Sequence, residues 1–404
     1  MLTEWLFWIL LILFFAFTFY LLHIPLPIDI SDRSKLAVAE ILLRLSNEYL
    51  GDLTEYLFGP AIRNKGTRFI MNVGFIIPQK PPKGITRTLC SIGGVPCITY
   101  DTIDKKKDGL LIFIHGGGWC VGEAKHYDGI LYELVQRSGV AAVSIDYRLA
   151  PEHPFPAGPD DCEAVVKTLY YNGCETLRFD KNKIVIAGDS AGGNLAAVVC
   201  QRLATTNENF IKAQILIYPV THCFNFNSPS YQEYWTKYNG TALLNPKNMA
   251  RWILLYLGVD ASRKNLKKLM NSQHVDLNLE NSTKYQEFLH YENLPENFRK
   301  DYAPKLRKPV DPELALMFAK IGTNPEISPF FGITSNLPPA FVLTAGYDIL
   351  RDEGIQYTQK LKRFGVPTEW KHYPRAFHGL FNMPNSAYRL EMMQAVADFT
   401  SKFV

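Results

Sequence analysis

A glycine-bracketed serine joins a run rich in β-branched residues to a good helix: Lys183-Ile184-Val185-Ile186-Ala187-Gly188-Asp189-Ser190-Ala191-Gly192-Gly193-Asn194, then Leu195-Ala196-Ala197-Val198-Val199. G-x-S-x-G between a strand and a helix puts a hydroxyl on a sharp, strained turn above a sheet. A Cβ at Gly188 or Gly192 would collide with the neighbouring strand or helix, and the amides of the helix start favour negative charge developing there. An ordinary crossover with a serine N-cap carries the same five residues, so the serine takes its meaning from partners elsewhere. Its hydroxyl needs a histidine to accept the proton, and the imidazole needs a carboxylate to hold its tautomer.

Asp348, in Gly346-Tyr347-Asp348, follows a predicted strand ending at Thr344. His378, in Phe377-His378-Gly379, follows one ending near Tyr373. Both fall at C-terminal strand ends, where open α/β sheets bind ligands, and the order Ser190, Asp348, His378 is that of an α/β-hydrolase. The rivals fit less well. His372 lies on a strand, and His115, His126 and His153 precede the serine. Asp352 opens a helix, where an acidic residue has reason enough to be, and Asp189 adjoins the nucleophile and is aimed away from it. A tetrahedral intermediate also needs donors for its oxyanion. His115-Gly116-Gly117-Gly118-Trp119 follows the first strong parallel strand, so the amides of Gly116 and Gly117 in this His115 segment are expected to form the oxyanion hole with that of Ala191. The glycines do not spell G-x-G-x-x-G, which argues against a dinucleotide loop. Neither H-E-x-x-H, a C-x-x-C pair nor a Walker loop occurs, so no metal and no cofactor is expected.

These residues need a scaffold. Leu110–Ile114 and Val140–Ile145 are continuous apolar runs of the kind buried on both faces of a sheet. Between and after them the chain alternates strand and helix: a helix from Asp160-Asp161 toward Tyr171, the elbow, and a strand from Ala213 to Tyr218. The pattern resumes with a strand Ala340–Thr344, a helix Arg351–Arg363, a strand Thr368–Tyr373 and a last helix from Tyr388. That alternation predicts an α/β fold with a mostly parallel central sheet flanked by helices. Thr86–Cys90 and Val95–Tyr100, about Gly93-Gly94, read as a hairpin at its start. Between Pro219 and Leu337 the rhythm breaks into a long, aromatic stretch, the place for a lid. The organisation is then an N-terminal anchor (1–24), a helical cap contribution and linker (25–83), a first core part (84–220), a cap insertion (221–336) and a second core part (337–404).

The 404 residues are 47% hydrophobic and 20% charged, with 43 basic against 39 acidic side chains scattered along the chain. That balance suits a globular body and gives no basic block for nucleic acid. From Trp5 to Leu22 no charge occurs. At 1.5 Å per residue the run covers about 27 Å, close to a hydrocarbon core of roughly 30 Å, and without a basic n-region or A-x-A site it reads as an uncleaved transmembrane anchor. Arg33 and Lys35 after it lean toward a cytosolic body, while sequons at Asn239 and Asn281 matter only in a lumenal or extracellular one, so the residues alone leave the topology open. Lys35–Phe58 shows helical periodicity with Leu36, Ala39, Leu42, Leu43, Leu50 and Leu53, which fits either a core face or a bilayer surface. Seven cysteines form no dense framework.

The chain resembles the hormone-sensitive-lipase branch of the α/β-hydrolases, and within it the arylacetamide deacetylase and neutral cholesterol ester hydrolase group. The likeness rests on Ile24-Pro25-Leu26-Pro27, Ile114–Gly122 (IHGGGWCVG), Tyr147–Pro151 (YRLAP), Gly188–Ala197 (GDSAGGNLAA), Leu216–Pro219 (LIYP), Pro229–Gln232 (PSYQ), Tyr347–Gly354 (YDILRDEG) and Phe377-His378-Gly379. It implies a serine esterase or deacetylase acting on lipophilic carboxylic esters, arylacetamides and lipid esters, with Ser190, Asp348 and His378 as triad and the His115 segment as oxyanion hole. It also implies a single-pass type II protein of the endoplasmic reticulum membrane with a lumenal, glycosylated catalytic domain. Two positions depart from the group. Arg375-Ala376 stand where D-G usually precedes F-H-G, and Ala345 stands where a cysteine often pairs with the one after HGGGW, which leaves Cys120 without that partner. The alternatives are an inactive hydrolase-fold receptor, against which the complete residue set speaks, and a dedicated cholesteryl-ester or ether-lipid hydrolase. Oligomeric state is not legible.

Overall fold

A computed structural model describes residues 2–73, 79–103, 107–238, 240, 243–306 and 308–404, with the backbone alone at 2, 3, 21, 22, 60, 61 and 284. Eight strands form one sheet in the order β1-β2-β4-β3-β5-β6-β7-β8. They are β1 (Ile85–Ile92), β2 (Val95–Thr102), β3 (Leu110–Ile114), β4 (Ala141–Ile145), β5 (Ile184–Asp189), β6 (Ile211–Ile217), β7 (Ala340–Tyr347) and β8 (Thr368–Phe377). β1 and β2 form the expected hairpin about Gly93-Gly94, and β2 runs antiparallel to β4. Every pairing from β4 to β8 is parallel. β3, β4 and β5 are buried at every position, which is why they read as unbroken apolar runs without alternation. β4 lies on one side of β3 and β5 on the other. The sheet therefore reverses its winding beside β3, and the crevice above such a reversal is where an open α/β sheet accepts a ligand.

Helices cover both faces. The helix that follows β5, Ala191–Thr205, is buried along almost its whole length, and Ala157–Asn172, Arg351–Arg363 and Ala387–Ser401 complete the layers. Between β6 and β7 lie the short helices of the insertion, Pro229–Thr236 and Pro246–Tyr256 among them. Most of its aromatic residues are packing: Phe224, Phe226, Tyr231, Tyr238 and Tyr256 are buried, Phe224 with Phe318 and His274 around it.

At the N-terminus, helix Leu2–Leu22 is followed by a strap. Leu26 and Ile30 are buried in the body, and the Ser31 amide and hydroxyl both donate to the Arg375 carbonyl (2.9 and 2.8 Å). Among the described residues no helix is long and apolar enough to cross a membrane. The expected spanning segment is therefore not shown: from Glu4 to Tyr20 the first helix covers roughly 25 Å against a hydrocarbon core of about 30 Å. Asn239 lies outside the described residues; Asn281 is exposed.

The next helical run is continuous from Arg33 to Phe58, π-helical over Arg44–Leu50, and Pro60–Val73 packs back on it. An ionic cluster fastens both to the insertion. Glu55 accepts from Arg63 (3.1 Å) and Arg251 (2.8 Å), and Asp52 accepts from Lys247 (2.8 Å) and Arg63. The Arg63, Arg251 and Glu55 side chains are at most 5% exposed. Burial and the neighbouring Arg63 push the Arg251 guanidinium down to about 10. Among the described residues, Glu55→Ala would leave Arg251 with the Asn248 side chain (3.1 Å) as its hydrogen-bond partner and a buried charge uncompensated. We expect it to lower stability by about 3 kcal/mol, read as a fall in the urea midpoint; an unchanged midpoint would show the cluster to be solvated.

Candidate active site

The elbow is built as its glycines require. Ser190 has φ 56° and ψ −121°, a region that costs about 1–3 kcal/mol and persists only where the surroundings enforce it. A Cβ at Gly192 would lie 2.0 Å from the Ile114 carbonyl oxygen, and one at Gly188 2.3 Å from that of Gly192. Strand β3, strand β5 and the following helix therefore close on one another only through glycine. The Ser190 amide donates to Ile217 O of β6 (2.9 Å), which fixes the corner from the other side.

Over this corner stands His378, just past the end of β8. Its Nε2 is 2.9 Å from Ser190 Oγ and its Nδ1 is 2.8 Å from Asp348 Oδ2. Asp348, after β7, is buried, and its other oxygen accepts from the Leu350 amide (2.9 Å). The Tyr218 ring, at the end of β6, packs on the imidazole with centroids 4.6 Å apart. The structure thus brings Ser190, Asp348 and His378 together in a hydrogen-bonded line. Of the other histidines, His372 faces Thr344 Oγ1 (2.9 Å), and His126, although it lines the same cavity, faces Asn72 Oδ1 (2.7 Å).

The oxyanion-hole expectation needs two corrections. The Gly116 amide does not face the serine: it donates to Asp189 Oδ1 (2.8 Å) and to the Tyr127 hydroxyl (3.0 Å). His115 presents no donor to the cavity either. Its ring is buried, with Nδ1 2.7 Å from Gly116 O, and stacks on Tyr147 at 4.4 Å. The Tyr147 hydroxyl in turn donates to His115 O (3.0 Å). Both residues are therefore the footing of the glycine loop. Gly117, at φ 119° and with Val121 O 2.0 Å from where a Cβ would be, turns the chain back toward Ser190. Gly117 and Gly118 line the same cavity as Ser190 and His378. Among the described residues no acceptor partners the amides of Gly117, Gly118 or Ala191.

Asp189 emerges from this as a positioning residue, since its carboxylate also accepts from Tyr127 (3.0 Å) and Asn382 (3.3 Å). The signal for it lay in the sequence, in a buried-strand position directly before the serine. Burial pushes its pKa up to about 6, against the pull of these donors. A folded-state pKa above the unfolded value near 3.9 means that the group contributes stability below pH 4 and loses it as pH rises through about 6. We expect wild-type protein to lose about 2 kcal/mol more than Asp189→Asn between pH 4 and pH 7, measured by urea denaturation at both values. Parallel pH dependence in the two proteins would refute the assignment.

The cavity over the serine measures about 480 Å³, within the range of small-molecule sites. One wall comes from the insertion (Tyr234, Leu243, Leu244, Asn248, Trp252) and one from the N-terminal helices (Leu43, Arg44, Asn47, Thr67, Met71). Trp119, after the glycine run, is buried and stacks on Tyr256 at 4.4 Å. All seven cysteines are free, and Cys120 Sγ lies 3.8 Å from the Trp252 carbonyl. Among the described residues no cluster of His, Cys, Asp and Glu is arranged to hold a metal ion.

Residues 111–284 and 296–382 match the sequence model of a family described as alpha/beta hydrolase fold. The chain is 32% identical over 372 residues to arylacetamide deacetylase of Bos taurus, covering 89% of each chain. It is 28% identical over 394 residues to neutral cholesterol ester hydrolase 1 of Bos taurus, covering 92% of each. Among solved structures it is similar to a hyperthermophilic esterase of the archaeon Pyrobaculum calidifontis, with a TM-score of 0.60 and 27% identity over 87% of this chain and 97% of that one.

Proposed function

The chain belongs to the α/β-hydrolase fold family, in the group of the arylacetamide deacetylases and neutral cholesterol ester hydrolases, and we propose that this serine ester hydrolase cleaves lipophilic carboxylic esters and arylacetamides through an acyl-enzyme on Ser190. The observation that carries the reading is the unbroken line from Asp348 through His378 to Ser190, at 2.8 and 2.9 Å. His378 Nε2 takes the hydroxyl proton as Ser190 Oγ adds to the carbonyl carbon. The carbonyl oxygen, now carrying the negative charge, is held by the amides of Gly117, Gly118 and Ala191, each such donor worth about 3 kcal/mol of transition-state stabilisation. Collapse breaks the bond to the leaving alcohol or amine, which departs with the proton from His378. Water, deprotonated by the same imidazole, adds to the acyl carbon; collapse breaks its bond to Ser190 Oγ, which takes the proton back from His378, and the acid is released. Asp348 holds Nδ1–H throughout and stabilises the imidazolium.

A second part of the proposal is attachment to the endoplasmic reticulum membrane as a single-pass type II protein with a lumenal body. Trp5, Phe7, Ile12, Phe15 and Tyr20 are all more than half exposed on the first helix, and a helical stretch apolar all round, as this one is from Trp5 to Tyr20, is stable in lipid, not in water. A glycosidase-sensitive mobility shift, lost in Asn281→Gln combined with Asn239→Gln, tests the orientation.

The chemistry is tested by an activity screen across acyl lengths, with esters and anilides side by side and fluorophosphonate labelling in parallel. We expect labelling of Ser190 and turnover of apolar acyl groups. Absence of both across the series would overturn the hydrolytic reading.

A further inference from the structure

The helical run Arg33–Phe58 is amphipathic in the inverted sense. From Val38 to Phe58 every exposed residue is apolar or aromatic, with Val38, Leu42, Leu45, Tyr49, Leu53 and Tyr56 in one stripe at spacings of three and four, a single helical face. Every charged residue of the same stretch turns the other way and meets protein. Glu40 accepts from the Leu243 amide (2.6 Å), Arg44 donates to Gly240 O (3.1 Å), Glu48 accepts from Asn245 (3.2 Å), Asp52 from Lys247 (2.8 Å), and Glu55 from Arg251 (2.8 Å). A helix that met water would reverse this arrangement. The neighbouring helix Pro60–Val73 adds Phe69 and Ile70 to the outer side and Thr67 and Met71 to the cavity. Contiguous apolar surface of this kind marks an interaction site.

The chain itself names the occupant. From Trp5 to Tyr20 the first helix, Leu2–Leu22, is apolar on all sides, and Leu26, only four residues past its end, is already buried in the body. Four residues reach at most about 14 Å, so whatever surface accepts the first helix has the body held against it. The roof helix begins at Arg33, a few residues beyond the strap.

We infer that the outer face of the Arg33–Phe58 roof docks in the headgroup and upper acyl region of a phospholipid bilayer, seating the substrate cavity on the membrane so that lipophilic esters enter from lipid. This rests on the membrane-attachment reading above and adds a second contact to it. Leu43, Arg44 and Asn47 line the cavity from the inner side of the same helix, so bilayer and cavity are separated by one helix, about 10 Å across. Interfacial helices lie in the membrane plane in this way, with the apolar face roughly 5–10 Å below the headgroups.

The full chain in phosphatidylcholine vesicles containing a diazirine-bearing phosphatidylcholine is irradiated and the labelled peptides are mapped. Label in both the first helix and the 42–58 peptides is expected. Label in the first helix alone overturns the docking and leaves attachment standing; label in neither overturns attachment and docking together. Protection of the 42–58 peptides by crosslinking between copies of the chain would assign the face to a second copy and overturn the inference. In the second arm, Leu45→Ser/Tyr49→Ser/Leu53→Ser/Tyr56→Ser is assayed against a long-chain ester dissolved in the vesicles and a short water-soluble aryl ester. We expect kcat/KM to fall at least tenfold on the first and stay within twofold on the second, which also reports that the variant is folded. An equal effect on both substrates, or none on either, overturns the inference.

Discussion

Ser190→Ala is expected to lower kcat by about a millionfold and to abolish fluorophosphonate labelling, while the thermal unfolding of the protein stays within a degree or two. The two halves of that expectation come from different atoms. Activity is lost because the nucleophilic oxygen held 2.9 Å from His378 Nε2 is gone; the amides of the glycine loop remain and sustain a residual rate over water, typically 10³–10⁴-fold. Structure is retained because the corner is held by main-chain bonds that alanine keeps, Ser190 N to Ile217 O (2.9 Å) and Val220 N to Ser190 O (3.2 Å). A single-turnover assay with an aryl ester, sensitive to a burst of released phenol, separates loss of acylation from loss of deacylation. A variant that still gave a full burst would place the nucleophile elsewhere and undo the proposed chemistry.

What the sequence could and could not reveal divides along a physical line. β3, β4 and the Arg351–Arg363 helix were legible because burial on both faces, or a clean helical period with acidic residues first and basic residues last, leaves a direct imprint on residue type. The elbow was legible because only glycine fits where Gly188 and Gly192 meet their neighbours. The period of Lys35–Phe58 was equally clear, yet of its quoted apolar positions only Leu36 is buried, while Glu40, Gly51 and Glu55 face inward. Periodicity reports that a helix has two faces and says nothing about which one meets protein. The π-helical turn at Arg44–Leu50 has no composition of its own. The oxyanion loop failed in the same way: a run of glycines announces a close-packed turn, but which amide points at the serine depends on Asp189 and Tyr127 pulling on Gly116, a contact between residues 62 positions apart. Tyr218, resting on the imidazole, was hidden in a stretch that read simply as a buried strand end.

Asp348→Asn should reduce kcat by about ten-thousandfold with KM little changed, and the direction of the amide explains why. Asp348 Oδ1 accepts from the Leu350 amide at 2.9 Å while Oδ2 faces His378 Nδ1 at 2.8 Å. An asparagine here keeps its carbonyl oxygen on Leu350, because the opposite flip would set two donors face to face. Its NH₂ then points at Nδ1, which must act as an acceptor. The ring proton moves to Nε2 and faces Ser190, so the imidazole can no longer take the hydroxyl proton. The geometry survives and the base is lost. Stability should move the other way from activity. Glu353, buried and accepting from the Thr221 amide (2.6 Å), is held well above the usual carboxylate range by burial, with the Asp348 charge among the lesser causes. Removing that charge eases ionisation of Glu353 at neutral pH, so the variant should unfold at the same urea concentration as wild type or a slightly higher one. Catalysis lost at full stability identifies Asp348 with the tautomer of His378. A loss of both together would make it a structural carboxylate and leave the acid of the triad to be found elsewhere.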